Sequence, residues 1–296
     1  MSAEPGPRFV WPPRPVVEPE SVKPEPTEPR FGLIDLIETQ FLGRTGLSFD
    51  RRTRLNGWAP DPYDSYCQRC GGSVGPHEAD GDGCSACREK RLPWDRAIRL
   101  GPYLGPIRTA VLDLKFRNWH QTGTELGRAM GRRLTESLTK AQIRPGAAVI
   151  VPIPTHWTRR IRFGVDHTLT LSRACAAVSG VPLARVLARR RGPSQLQVSA
   201  STRATNVAQA FRVRKYRDLP GLVIVLDDVR TTGATLRAAC RTTRSGCSVD
   251  RLWVLTAGVT PSADRREREN RPDEGGQGVR SIEVLGDEEI LQELEP

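Results

Sequence analysis

The densest chemistry in the chain lies in residues 222–236, LVIVLDDVRTTGATL. Five apolar residues run into the adjacent carboxylates Asp227 and Asp228, and then into Val229, Arg230, Thr231, Thr232, Gly233, Ala234 and Thr235. The apolar run predicts a buried strand, and the small residues predict a turn into a helix. Such a turn presents backbone N–H groups at a helix N-terminus, where the partial positive charge favours an anion. Gly233 lets the backbone come close, and Thr231, Thr232 and Thr235 add hydroxyl donors. Together they would cradle one phosphate group. Two carboxylates beside a phosphate would repel it, so they need another task. Hydrogen bonding to the two hydroxyls of a ribose, directly or through Mg2+, fits that task. A 5-phosphorylated ribose satisfies both halves; the plainer alternative is an Asp-capped helix with surface threonines.

A second constellation precedes it. Cys67-x-x-Cys70 and Cys84-x-x-Cys87 are separated by 13 residues rich in glycine and acids. Two C-x2-C turns supply four thiolates for a tetrahedral, closed zinc site of structural type. Little but a metal would hold such a loop to its neighbours. The alternative is two reduced pairs. His77, in the loop, is an exposed residue or a substitute ligand. Cys175, Cys240 and Cys247 fall in helix or turn patterns and read as small buried hydrophobes.

These groups need a scaffold, and the pattern around them alternates. Residues 31–43 suit a short amphipathic helix, as do residues 105–118, with Ile107, Val111 and Leu114 on one face. A further helix is predicted over about 123–138. Strands are predicted at 147–154, 221–228 and 249–258, with helices at 166–180 (Asp166 as cap, Gly180 as stop) and 233–246 between them. Continuous apolar strands separated by helices predict an α/β fold with a parallel sheet covered on both faces. Ligands of such sheets bind at the carboxyl ends of the strands, where Asp227 and Asp228 would lie.

Composition sets the outer bounds. Residues 1–30 hold nine prolines and no periodic apolar pattern, which predicts a disordered leader. Residues 31–66 form a helix and extension containing Trp58 and Tyr63, 67–95 the four-cysteine zinc module, 96–260 the sheet domain and 261–296 a charged tail. No apolar run reaches membrane-spanning length, and prolines interrupt any secretion signal, so the expected place is the cytoplasm, where paired cysteines signify metal more often than disulfide. The chain carries a formal net charge of +11, and between His156 and Arg217 there are 13 Lys or Arg against one acid, Asp166. That stretch is either a solvated basic face or a surface for phosphate-rich ligands.

The strand, two acids, T-T-G and helix of 222–236 resemble the phosphoribosyl pyrophosphate (PRPP) signature of type I phosphoribosyltransferases. The four-cysteine module, LDLKFRN, VIVPIPTHWTRRIRFGVDH, SQLQVSASTRATNVAQAF and the PRPP segment, in that order, resemble the ComF family of competence-associated proteins over residues 67–258. The resemblance implies a twisted parallel sheet of type I phosphoribosyltransferase kind with flanking helices, plus an N-terminal zinc-ribbon-like module. It implies PRPP with Mg2+ as ligand, a phosphoribosyl transfer to a nitrogen nucleophile, or instead a non-catalytic single-stranded DNA-binding role in DNA uptake with competence proteins as partners. Pro152, Ile153 and Pro154 match the family's pyrophosphate-side turn, and Lys115 its LKF motif, which would put it on the same pyrophosphate side, although a helix-surface lysine explains it equally. Gln195, Arg203 and Asn206 match a block in which Arg203 would either cap pyrophosphate charge or simply pack the loop. The family's Arg-Gly-Phe-Asn is replaced by Phe163, Gly164, Val165 and Asp166. Acceptor, turnover and oligomeric state stay open.

Overall fold

The computed structural model describes residues 48–116, 120–155, 166–189, 210–214 and 219–261. The expected leader, the 31–43 helix, the charged tail, Arg203 with its block, and most of the basic 156–217 stretch lie outside the described residues.

Four parallel strands form the central sheet in the order β3–β8–β7–β4, where β3 is Arg96–Pro102, β4 Ala148–Pro152, β7 Leu222–Arg230 and β8 Arg251–Val259. Strand β7 is central and apolar on both faces because both faces are covered. Ile224 and Leu226 join the core formed with helices α2 (Gly105–Phe116), α3 (His120–Lys140) and α4 (His167–Ser179). Val223 and Val225 point the other way, into a core shared with helix α5 (Ala234–Gly246) and the antiparallel pair β5 (Leu187–Arg189) and β6 (Phe211–Val213). Burying these side chains fully is worth about 1.5–3 kcal/mol each before conformational entropy is charged against it. Side chains alternate along a strand, so Asp228 inherits the α2–α4 face and Asp227 the α5 face.

Helices α3 and α4 approach backbone to backbone. A Cβ at Gly127 would stand 2.6 Å from the Leu171 carbonyl oxygen, and one at Gly131 2.8 Å from that of Cys175. The G-x3-G-x3-G spacing at Gly123, Gly127 and Gly131 therefore sets how close α3 and α4 come to one another. Helix α4 opens on Asp166, whose carboxylate accepts from the Leu169 N–H at 3.2 Å, and closes on the left-handed Gly180. Both caps are those the sequence predicts.

Two elements escape the sequence pattern. Edge strand β3 carries Arg96 and Arg99, and Arg99 is only 1% exposed. It donates to the Gly71 carbonyl, Ser73 Oγ and Asp61 Oδ2, and its guanidinium lies 5.0 Å from the Tyr66 ring centre. The second is helix α1 (Phe49–Leu55), capped by Ser48 and tied to α2 by the Arg52–Asp113 ion pair. The extension after it is a strap. Tyr63 stacks under Arg133 at 3.5 Å and bonds Ser137 Oγ at 2.8 Å, while Phe49 meets Trp58 edge-on. The small strands β1 (Ala79–Asp80) and β2 (Gly83–Cys84) complete the cysteine module. The whole is the fold class the sequence predicts: a parallel sheet between helical layers with a four-cysteine module attached.

Candidate functional site

Strand β7 continues two residues past the carboxylates, to Arg230, so the acids sit inside its last turn of pleat rather than beyond it. Asp228 is 5% exposed and faces Lys115 from the end of α2, with Nζ to Oδ2 at 2.7 Å. His167, the first residue of α4, brings Nε2 to 3.7 Å of the same oxygen. Burial pushes the Asp228 carboxyl up, but Lys115 and then His167 outweigh it and hold it at about 2. Burial likewise pulls the Lys115 ammonium down, and Asp228 more than restores it, so its net movement is upward. The two directions agree on a buried ion pair. Asp227 is the strained member. Burial and the neighbouring Asp228 charge push its carboxyl well above the usual range, only partly relieved by Lys115 and by the Asp228 N–H, which donates to it at 3.0 Å. A group so placed is relieved by a ligand hydroxyl or a cation.

Beyond the acids, Thr231 and Thr232 are exposed, Gly233 adopts φ 76°, and α5 begins at Ala234. Only a residue without Cβ enters that left-handed conformation easily. The first N–H groups of α5 have no acceptor within their own helix. The turn is shaped by Arg237, which donates to the Thr232 carbonyl at 2.9 Å. On the neighbouring strand the Ile153 N–H donates to the Leu226 carbonyl at 3.0 Å, so the Pro152–Ile153–Pro154 turn lies beside the carboxylates, with the Ile153 side chain sunk in the core. Thr155 donates to Asp166 Oδ1 at 3.0 Å. Asp166 is thus a helix cap and a tether for this turn.

Lys115, assigned from sequence to the pyrophosphate side, has its ammonium on Asp228. The sequence marks His167 only by its place directly after a helix-capping aspartate. Asp227, Asp228, Lys115, 152–154 and 229–235 come together at the carboxyl end of the sheet. Phe163, Gly164 and Val165 lie outside the described residues.

The four module cysteines converge. Cys67 and Cys87 sulfurs are 3.7 Å apart, Cys70 and Cys84 3.7 Å, Cys84 and Cys87 3.8 Å, and all lie within 4.8 Å of one another. A disulfide would need about 2.05 Å. Zinc–sulfur bonds of about 2.3 Å in a tetrahedron place sulfurs roughly 3.8 Å apart, so the donor set fits zinc with no position left for water. Gly83, at φ 103°, has its missing Cβ 2.7 Å from Cys87 Sγ. Arg69 braces the second knuckle by donating to the carbonyls of Asp82, Cys87, Arg88 and Lys90. His77 is exposed, and Cys175, Cys240 and Cys247 are buried away from the cluster, as the sequence predicts.

No protein-family model matches the chain. Curated relatives do. A DNA utilization protein YhgH of Salmonella typhi is 28% identical over 64% of this chain and 83% of its own. Competence protein F of Haemophilus influenzae is 26% identical over the same shares. Among solved structures, an allosteric regulatory enzyme of purine biosynthesis overlaps 46% of this chain and 25% of its own, at 18% identity and a TM-score of 0.31. A hypoxanthine phosphoribosyltransferase of Staphylococcus aureus covers 45% of this chain and 62% of its own, at 17% identity and a TM-score of 0.27. Those overlaps are partial and decide nothing about ligands. With four cysteines at tetrahedral spacing ahead of a parallel sheet that ends in Asp-Asp-x-x-Thr-Thr-Gly, and with competence and DNA-utilization relatives 26–28% identical over 64% of its length, the chain is similar to the ComF-type proteins that its sequence resembles.

Proposed function

We propose that the chain binds the ribose 5-phosphate moiety of PRPP, with Mg2+, at the carboxyl end of β7. The observation that carries this reading is the meeting of two acids, one ion-paired and one electrostatically strained, with the open N-terminus of α5. The 5-phosphate would accept from backbone N–H groups and hydroxyls of 229–235. The ribose hydroxyls would donate to Asp227 and Asp228, with Lys115 and His167 keeping Asp228 ionised and fixed. Mg2+, when bound, would neutralise pyrophosphate and relieve Asp227. Pyrophosphate would extend toward 152–154, with Arg203 as a further contact. The reaction class this arrangement serves is transfer of the phosphoribosyl group: a nitrogen lone pair attacks C1 while the C1–oxygen bond breaks and pyrophosphate leaves with the electron pair. The protein's part is positioning and charge stabilisation. Zinc in the four-cysteine module is structural, the setting is a reducing cytoplasm, and the domain limits are 67–95 and 96–260.

The test is ligand-induced thermal stabilisation by PRPP and Mg2+, compared between wild type and Asp227→Asn. A ligand at about 100 times its Kd adds about 2.7 kcal/mol. The shift should vanish in the variant; an equal shift in both proteins would remove Asp227 from the site.

A second reading, a single-stranded DNA accessory in competence, draws support from the relatives' names and from a groove of about 1260 Å³ between the cysteine module and the sheet, bordered by Arg69, Arg96, Arg251 and His77 and also by Asp64, Asp80 and Asp95. Its aromatic walls are already occupied: Trp94 is 3% and Trp253 5% exposed, and Arg96 covers Trp253. Base stacking, worth about 1–3 kcal/mol per base, has little free ring to use there. Salt-dependent backbone contact is what the groove supports.

A further inference from the structure

Arg230 belongs to both sites. Its carbonyl accepts from the Thr260 N–H at 2.9 Å and fixes the end of β7, from which the turn to Gly233 starts. Its stem crosses that turn: a Cβ on Gly233 would stand 3.6 Å from Arg230 Cγ and Cδ, and 3.2 Å from Arg237 Nη1. The two arginines thus enclose the left-handed glycine. Its head leaves the turn and reaches the first cysteine knuckle. A Cβ on Gly72 would meet Arg230 Nη2 at 3.8 Å and Cys70 Sγ at 3.4 Å, and the Gly72 N–H itself donates to that sulfur at 3.3 Å. Arg230 Nε is buried with no hydrogen-bond partner among the described residues. The guanidinium Nη2 lies beside Gly72, in the knuckle that carries Cys70. Four thiolates around one divalent cation leave about two negative charges uncompensated, and outer groups that answer this charge tune the centre.

We propose that Arg230 couples the metal centre to the phosphate turn: its head compensates the loaded cysteine cluster, and its stem thereby holds 229–235 in the shape that takes a phosphate. The coupling rests on the phosphate-binding reading of that turn. It makes the zinc module a positioning element of the ligand site. Linkage requires it to be reciprocal: zinc raises ribose 5-phosphate affinity by some factor, and ribose 5-phosphate raises zinc affinity by the same factor.

The experiment uses the full chain and ribose 5-phosphate as probe. Calorimetry on zinc-loaded and zinc-depleted protein gives the first factor, and equilibrium competition for zinc with a chromogenic chelator, with and without the probe, gives the second. Wild type should lose about tenfold or more in affinity on depletion, and the probe should raise zinc affinity by the same factor. Arg230→Met keeps the stem's packing and should keep one zinc per chain, yet both factors should fall to near one; Arg230→Lys should restore part of each. Equal coupling in wild type and Arg230→Met, each assayed zinc-loaded and zinc-depleted, overturns the proposal. So does equal affinity in loaded and depleted wild type. A loaded wild type that takes no ribose 5-phosphate overturns the phosphate-turn reading instead. Arg230 must then still hasten zinc release when changed to Met, and release at the wild-type rate removes its role at the metal as well.

Discussion

Lys115→Met removes the cation that faces Asp228 and leaves the carboxylate buried beside Asp227. In the wild type Asp228 is held at about 2 against an ordinary 3.8. At about 1.36 kcal/mol per pKa unit, a displacement of that size is worth roughly 2.4 kcal/mol, net of the burial that opposes it. Because this pKa is depressed, the stabilisation is complete above pH 3.8 and is lost as pH falls toward 2. In the variant the sign reverses. Burial, opposed chiefly by His167, lifts Asp228 above its ordinary value, so the fold is penalised at neutral pH and relieved as the group takes up a proton. The deficit of Lys115→Met should therefore be about 2–4 kcal/mol at pH 7 and shrink steadily below about pH 5. Urea midpoints of both proteins between about pH 4 and 8, with matching m-values, measure it directly. A deficit under about 0.5 kcal/mol at pH 7, or one equal at about pH 4.5 and 7.5, would refute the ion-pair account.

Three further outcomes follow from the same geometry. Asp227→Asn should not lower stability in denaturant melts, because burial and the Asp228 charge already disfavour a charged group at that position; the same variant should lose PRPP. A less stable Asp227→Asn would mean that the aspartate serves the fold. Gly83→Ala should lower zinc content and abolish the tetrahedral cobalt(II) spectrum, since the new Cβ would lie 2.7 Å from Cys87 Sγ at an unfavourable φ; full metal content would contradict the packing described. Gly127→Ala should cost about 1–3 kcal/mol or more, because the obstacle is the Leu171 carbonyl, which cannot rotate away; a neutral change would show that α3 and α4 can separate freely.

What was legible in the sequence was whatever is encoded locally. Five apolar residues before two acids give a central strand; two C-x2-C turns give the sulfur cluster; Asp166 and Gly180 bracket α4. Strand β3 was not legible, because Arg96 and Arg99 read as surface charge. Arg99 is buried only because Asp61 and Gly71, 38 and 28 residues away, meet it across the strap and the first knuckle. Lys115 read as pyrophosphate-facing for the same reason: nothing near it in sequence announces Asp228. The continuation of β7 to Arg230 depends on pairing with Gly258 and Val259, again a tertiary fact. The glycines at 123, 127 and 131 are a readable signal for close packing of one helix on another, here α3 on α4.

The most direct measurement is a calorimetric titration of the zinc-loaded protein with PRPP in the presence of Mg2+. A saturable signal near one PRPP per chain, abolished by Asp227→Asn, is the result predicted. An absence of heat and of any protection by PRPP would contradict a phosphoribosyl site at the end of β7, and single-stranded DNA would become the ligand to titrate against the groove beside the cysteine module.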